Sequence, residues 1–214
     1  MFPKGHPYYA DVMGSHADVQ AAKLDDVRDF FKRYYTPNNA SLAIVGDIDI
    51  DNAKKLVEKY FGSIPRGPDV PSVQVQTPPI TQERRAVMTD RVELPRVYLS
   101  WLTAPIFKPG DAEADVAAQI LGSGKASRLY RSLVYDKKIA QDVSAGQQSL
   151  TLGSVFQVTA TAKPGHTAEE LETALNAQLD SLAKFGPTPE ELDAAKNKIT
   201  SSLIISLENL GGFS

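Results

Sequence analysis

The 214-residue sequence has no cysteine, three histidines and one tryptophan. Without cysteine there is no disulfide, thiolate metal site, iron–sulfur cluster or cysteine nucleophile, and the redox compartment leaves no mark on the composition. No apolar run approaches the roughly 20 residues that a membrane-spanning helix needs. The opening Met1-Phe2-Pro3-Lys4-Gly5-His6-Pro7 lacks the apolar stretch of a signal peptide and reads like the middle of a loop. Charge of one sign is missing too. The 23 basic and 26 acidic residues are interspersed, with a net charge of -3, so no broad field recruits nucleic acid or an anionic membrane, and no nucleic-acid partner is expected. What is present is 42% hydrophobic and 23% charged residues, a composition that predicts a soluble globular chain holding one large domain or parts of two.

Along the chain, Val27, Phe30, Phe31 and Tyr34 recur at helical spacing and predict a helix over 24–35, ended by Pro37 and the Asn38-Asn39 pair. Ala40 to Val45 is a short apolar run that predicts a buried strand. Ala53, Leu56, Val57, Tyr60 and Phe61 repeat the helical stripe, with Asp49 or Asp51 as N-cap and Gly62 as stop. Prolines at 65, 68, 71, 78 and 79 then exclude a helix and predict an extended linker. Beyond it, 85–93 and 96–103 carry β-rich patterns broken at Leu94-Pro95. A helix over 111–121, stopped by Gly122-Ser123-Gly124, precedes a second over about 127–135. Residues 139–147 and 154–162 read as paired strands. Thr167 with Glu170, and Thr188 with Glu191, fit capping boxes, and Pro189 suits the first position of the second helix. That last helix carries Leu192, Ala195, Ile199, Leu203, Ser206 and Leu210 on one face, with Gly211-Gly212 as its stop. The order of elements predicts an α+β fold.

Candidate chemistry is sparse. His6, His16 and His166 stand in loop-like contexts, and none belongs to H-x-x-E-H, H-E-x-x-H or H-x-H, the spacings that set two imidazoles on one metal. A meeting of His6 and His16 with Asp11 or Asp18 around an ion is the remaining option, and no metal site is expected. Gly122-Ser123-Gly124-Lys125-Ala126-Ser127 is not a phosphate-binding loop, because it follows a helix and lacks the required glycine spacing. The carboxylate pairs Asp25-Asp26, Glu169-Glu170 and Glu190-Glu191 each fall in a first helical turn, where they offset the helix dipole. No catalytic residue can be assigned, and the residues that touch substrate are unknown.

An ordered set of segments nevertheless resembles one family. Gly5-His6-Pro7-Tyr8, the stretch from Leu24 to Phe31, the stretch from Tyr34 through Pro37-Asn38-Asn39 to Asp47, and Tyr60-Phe61-Gly62-Ser63-Ile64-Pro65 resemble the close of the metal-bearing half of insulinase/pitrilysin zinc metallopeptidases, the family of the mitochondrial processing peptidase. Leu94 to Trp101, Ile120 to Gly124, Ser127-Arg128-Leu129-Tyr130 and Gly186 to Leu192 resemble the opening of the following half. The resemblance implies an antiparallel sheet covered by helices in each half, and paired halves that enclose unfolded peptides. It also implies a zinc held by H-x-x-E-H and a later glutamate, with the glutamate of the motif as general base.

No such motif occurs in these residues, so the chain alone is expected to be inactive, and zinc to belong to an intact parent. The family's arginine and tyrosine, seven residues apart, align with Val134 and Gln141; valine donates no hydrogen bond and glutamine is a weak stand-in for a phenol. The division implied is 1–65 for the end of the metal-bearing half, 66–80 for the linker and 81–214 for the beginning of the non-catalytic half. The implied role is chamber wall and substrate enclosure in a peptide-degrading or peptide-processing metalloendopeptidase. The alternative is a non-catalytic homologous subunit serving as scaffold or peptide-binding partner. Expected partners are unfolded peptide, other halves or a homologous subunit, and a domain-swapped second copy. Some relatives suggest a bacterial periplasmic setting. Because 1–65 is too short for a core of its own, Phe30, Phe31, Tyr60 and Phe61 are expected to seek cover on the later sheet or on a second copy.

Overall fold

The computed structural model describes residues 1–10 and 12–208. Asp11, and the proposed Leu210 stripe position and Gly211-Gly212 stop, lie outside the described residues. The chain divides into two compact units, Pro3–Val75 and Met1–Phe2 with Gln76–Ser214.

The first unit contains α1 (His16–Ala21), α2 (Leu24–Tyr34), a 3₁₀ turn (Pro37–Asn39) and α3 (Ile50–Phe61). Helix α1 is a correction to the loop reading of His16. Its signal was present in Ser15-x-x-Asp18, where the Ser15 hydroxyl accepts from the Asp18 amide and the Asp18 carboxylate accepts from the Ser15 amide, at 3.1 Å each. Asp49, not Asp51, caps α3, accepting from the Asp51 and Asn52 amides. The two asparagines that end α2 act separately. Asn39 Nδ2 donates to the Tyr34 carbonyl at 2.8 Å, while Asn38 binds the Gly67 amide and the Pro68 carbonyl.

The buried strand expected at Ala40–Val45 does not form. The run is extended but unpaired, and Leu42 and Val45 are 62% and 95% exposed. A strand exists only as one side of a hydrogen-bonded ladder, and sequence pattern reports competence for pairing, not the presence of a partner. For the same reason no strand forms over 85–93, where Val87 and Met88 stand in solvent. Phe30, Phe31, Tyr60 and Phe61 are all about half exposed, and no apolar side chain among the described residues of Pro3–Val75 is buried.

The second unit holds the core. Strand β1 (Arg96–Thr103) is followed by α4 (Asp111–Gly122), a π-helix (Tyr130–Asp136), β2 (Ala140–Gln148), β3 (Ser154–Ala162), α5 (Ala168–Phe185) and α6 (Pro189–Glu208). The sheet is antiparallel, in the order β1-β3-β2. Alternation along β3 sends Phe156, Val158, Ala160 and Ala162 inward, as the period-two pattern predicts. They pack with Val97, Leu99, Val143, Leu121, Leu129, Leu133, Leu171 and Leu175, so α4, the π-helix and α5 form one layer on one face of the sheet. The expected helix over 127–135 is wound as a π-helix in its main part. Both capping boxes near the end of the chain form as the sequence indicates.

Candidate functional site

The register places four rows of side chains on the sheet face opposite the helices: Arg96, Thr161 and Asp142; Tyr98, Thr159 and Ser144; Ser100, Gln157 and Gly146; Leu102, Val155 and Gln148. This face is open and mostly polar. Tyr98, Gln157, Asp142, Ser144 and Gln148 are exposed, while Thr161 is buried. Its groups bond across strands. Arg96 Nε donates to Thr161 Oγ1 at 2.8 Å, and the Thr161 hydroxyl donates to Asp142 Oδ1 at 3.1 Å, a chain that crosses all three strands. One row on, Gln157 Nε2 donates to Ser100 Oγ at 3.1 Å. The Tyr98 hydroxyl beside Arg96 holds the guanidinium above its ordinary value, so the single cation in these rows stays charged.

Two further polar clusters tie elements of this unit together. Asp111, buried at the first position of α4, accepts from Ser149 Oγ at 2.6 Å and Gln147 Nε2 at 3.2 Å, and from the Phe107 amide at 3.0 Å. Gln147 also bonds Thr103, so β1, β2 and α4 are joined at one corner. The Ser149 hydroxyl bond keeps the Asp111 carboxyl below its usual range despite desolvation, and Asp115 is pushed up by burial and by the Asp111 charge. In the second cluster Arg128, just before the π-helix, forks onto Glu191 of α6 at 2.6 and 2.7 Å and donates to the Gly186 carbonyl at 2.9 Å. Sequence reasoning gave Glu191 only a capping role. Its second partner stands 63 positions away, and no local signal announces it.

The backbone is irregular between the π-helix and β2. Lys138 has φ +58°, and the β2–β3 register shifts between Ala140 and Asp142, leaving Gln141 as a bulge. Val134 packs against the core from the π-helix, while Gln141 is exposed. A cleft of about 420 Å³ near this turn is lined by Lys137, Ile139, Glu169, Glu170, Thr173 and Ala174. Glu170 is already engaged there by the Thr167 amide and by His166, at 3.0 Å each.

Among the described residues the histidines build no metal centre. His6 is buried and its Nδ1 accepts from the Tyr8 amide at 3.0 Å; His16 is exposed on α1; His166 is bonded to Glu170. Among the described residues no group of three or more His, Cys, Asp or Glu is placed to hold a metal. The described residues therefore offer no fitting set of zinc ligands. Nor is any described helix long and apolar enough to cross a membrane.

The peptidase M16 inactive domain profile matches residues 21–199. A zinc protease of Helicobacter pylori, PqqE, is 32% identical over 184 residues, covering 83% of this chain and 40% of that protein. An uncharacterized zinc protease of Mycobacterium leprae is 26% identical over 78% of this chain and 38% of its own length. The crystal structure of a protease from Helicobacter pylori superposes with a TM-score of 0.81 at 32% identity, over 94% of this chain and 49% of that one. The peptidase M16 inactive domain from Pseudomonas fluorescens, at 22% identity and a TM-score of 0.78, shares the fold. The chain thus spans less than half the length of these relatives. On the match across 21–199 and the shared α+β architecture, the chain belongs to the peptidase M16 family of zinc proteases and corresponds to the part described as its inactive domain.

Proposed function

We propose that this chain is a non-catalytic portion of a zinc-dependent metalloendopeptidase, and that the open face of its sheet is wall of the enclosure that holds unfolded peptide. The observation that carries this reading is the division of the sheet into an apolar face under helices and a face of Tyr98, Ser100, Ser144, Gln157 and Thr159 open to solvent. Hydroxyls and amides on such a surface exchange hydrogen bonds with an extended backbone of any sequence, each for a net gain of only about 1 kcal/mol. That suits transient holding. A large apolar wall would retain unfolded chains.

In this reading residues 1–65 close the metal-bearing half, 66–80 connect, and 81–214 begin the non-catalytic half. Zinc and the general base come from elsewhere in the parent, and the rest of the parent or a homologous subunit completes the enclosure. The uncovered apolar stripes of α2 and α3 support that partition, since a helix with one exposed apolar face requires cover. Val134 and Gln141 supply neither a guanidinium nor a phenol, so substrate polarisation falls to another part of the assembly.

The test uses the intact peptidase. Arginine introduced together at Ser100 and Gln157 is expected to raise KM for basic peptides at least fivefold relative to acidic ones, with kcat little changed. Equal KM shifts for both peptide classes, or none, would reject the open face as peptide-facing wall. Metal analysis of the purified chain is expected to find no stoichiometric zinc; one tightly bound zinc per chain, lost in His6→Ala or His16→Ala, would overturn the assignment of the metal to the rest of the parent.

A further inference from the structure

Arg96 is held in a way that sets it apart from the paired arginines of the chain. Arg28, Arg66, Arg85 and Arg128 each meet a carboxylate directly. Arg96 is anchored by a hydroxyl instead: its Nε donates to Thr161 Oγ1 at 2.8 Å, and that hydroxyl donates in turn to Asp142 Oδ1 at 3.1 Å. Thr161 thus stands between the two charges of this row. It is only 6% exposed although it belongs to the open face. With both its donor and its acceptor engaged, the hydroxyl is fixed in one orientation and gives Arg96 a fixed anchor.

A guanidinium carries five N–H donors in one rigid plane. Pinning Nε orients that plane and leaves the Nη groups as a fork, with the Tyr98 hydroxyl alongside and both side chains exposed. Ordering an exposed arginine costs side-chain entropy, a cost that solubility alone does not require. An oriented fork with no carboxylate of its own is matched by a carboxylate that arrives with a ligand, through two parallel N–H···O bonds, and the neighbouring phenol can donate to the same group.

We propose that Arg96, oriented by Thr161 and flanked by Tyr98, is the subsite of the open face that receives a carboxylate of the bound peptide, and that it gives the peptidase a preference for an acidic side chain or a free C-terminus at one position. The subsite presupposes that the open face meets peptide, and it adds to that reading the chemistry of the peptide that is held. Asp142, at the other end of the same row, repels a second carboxylate. One acidic group is therefore favoured, and a run of them is not.

The test uses the intact peptidase and otherwise uncharged peptides with an amidated C-terminus, carrying glutamate or glutamine at each position in turn. At one position the glutamate peptide is expected to show a KM roughly tenfold below its glutamine counterpart. Arg96→Gln is expected to bring that ratio to about one, and Arg96→Lys, which keeps the charge and loses the fork, to leave about a threefold preference. Thr161→Val, close in volume and without effect on charge, removes the anchor and is expected to shrink the preference about threefold; a merely structural loss would act on both peptides alike and leave the ratio unmoved. Peptides with a free C-terminus separate the two sources, since a preference confined to them assigns the terminal carboxylate and one seen in amidated peptides assigns a side chain. A carboxylate preference that survives Arg96→Gln, or none in the unsubstituted enzyme, would overturn the subsite. The wall is tested apart by the arginines at Ser100 and Gln157: if those shift KM as expected and Arg96→Gln does not, the carboxylate subsite alone falls, whereas silence of both removes the two together.

Discussion

The Arg128–Glu191 pair shows how one residue acquires two duties. Glu191 closes the capping box with the Thr188 amide and also takes the fork of Arg128, which in turn holds the Gly186 carbonyl at the bend between α5 and α6. The Arg128 bond, opposed by desolvation and assisted by the Thr188 amide, lowers the Glu191 carboxyl from its ordinary value. A depressed folded-state value means stability that is present above the unfolded value and is lost as pH falls through the folded one. Glu191→Gln should therefore flatten the acid limb of a pH–stability profile below about pH 5, and a limb parallel to the unsubstituted chain would reject the pair as a source of that slope. Arg128→Ala leaves a partly buried carboxylate unpaired and should cost about 2 kcal/mol at neutral pH in urea unfolding. The capping half of this arrangement was legible from Thr188-x-x-Glu191, whereas the arginine half was not, because only the fold brings Arg128 to that helix start. Lys138 makes a different residue-scale case. Its φ of +58° costs a side-chain-bearing residue about 1 kcal/mol. Lys138→Gly should raise the thermal midpoint by about 3 °C; a fall would show that the turn tolerates lysine without strain.

Elements were legible where both partners of a contact sit in the described residues. The alternation in 154–162 gave β3 its inward face, and 96–103 and 139–147 supplied the neighbours, so these strands form within a residue of expectation. Equally apolar runs at 40–45 and 85–93 form no strand, since the ladder, not the pattern, makes the element. Gly122 illustrates contact overriding propensity. It reads as a helix stop, yet it is the last residue of α4, pressed on β2 so closely that a Cβ there would lie 2.1 Å from the Ala145 amide nitrogen. Helix propensity alone favours alanine over glycine by about 1 kcal/mol. The clash with backbone reverses that sign, and Gly122→Ala is expected to destabilise by about 2 kcal/mol in chemical denaturation. A neutral or stabilising outcome would mean that α4 can move off β2 without cost.

At the scale of the whole chain, the sequence resemblance was enough to identify the family and the sheet-and-helix architecture, because it rests on segments spread from Gly5 to Leu192 and needs no tertiary contact. Where the apolar surface goes was not legible, since burial is a property of neighbours that periodicity does not name. The consequence is an uneven distribution of stability. Every buried apolar side chain among the described residues lies between Ala118 and Ala195, whereas the stripes of α2 and α3 are exposed. Helices of 11 and 12 residues without tertiary cover are marginal in water. The amides of 24–61 are therefore expected to exchange with deuterium far faster than those of β3 in dilute monomer, by several orders of magnitude if β3 opens only with global unfolding. A chain beginning at Gln76 should then keep the urea midpoint of the full-length monomer, because the described residues before it include no buried apolar side chain. A shared exchange rate across both units, or a midpoint that falls on truncation, would instead require the two units to unfold as one.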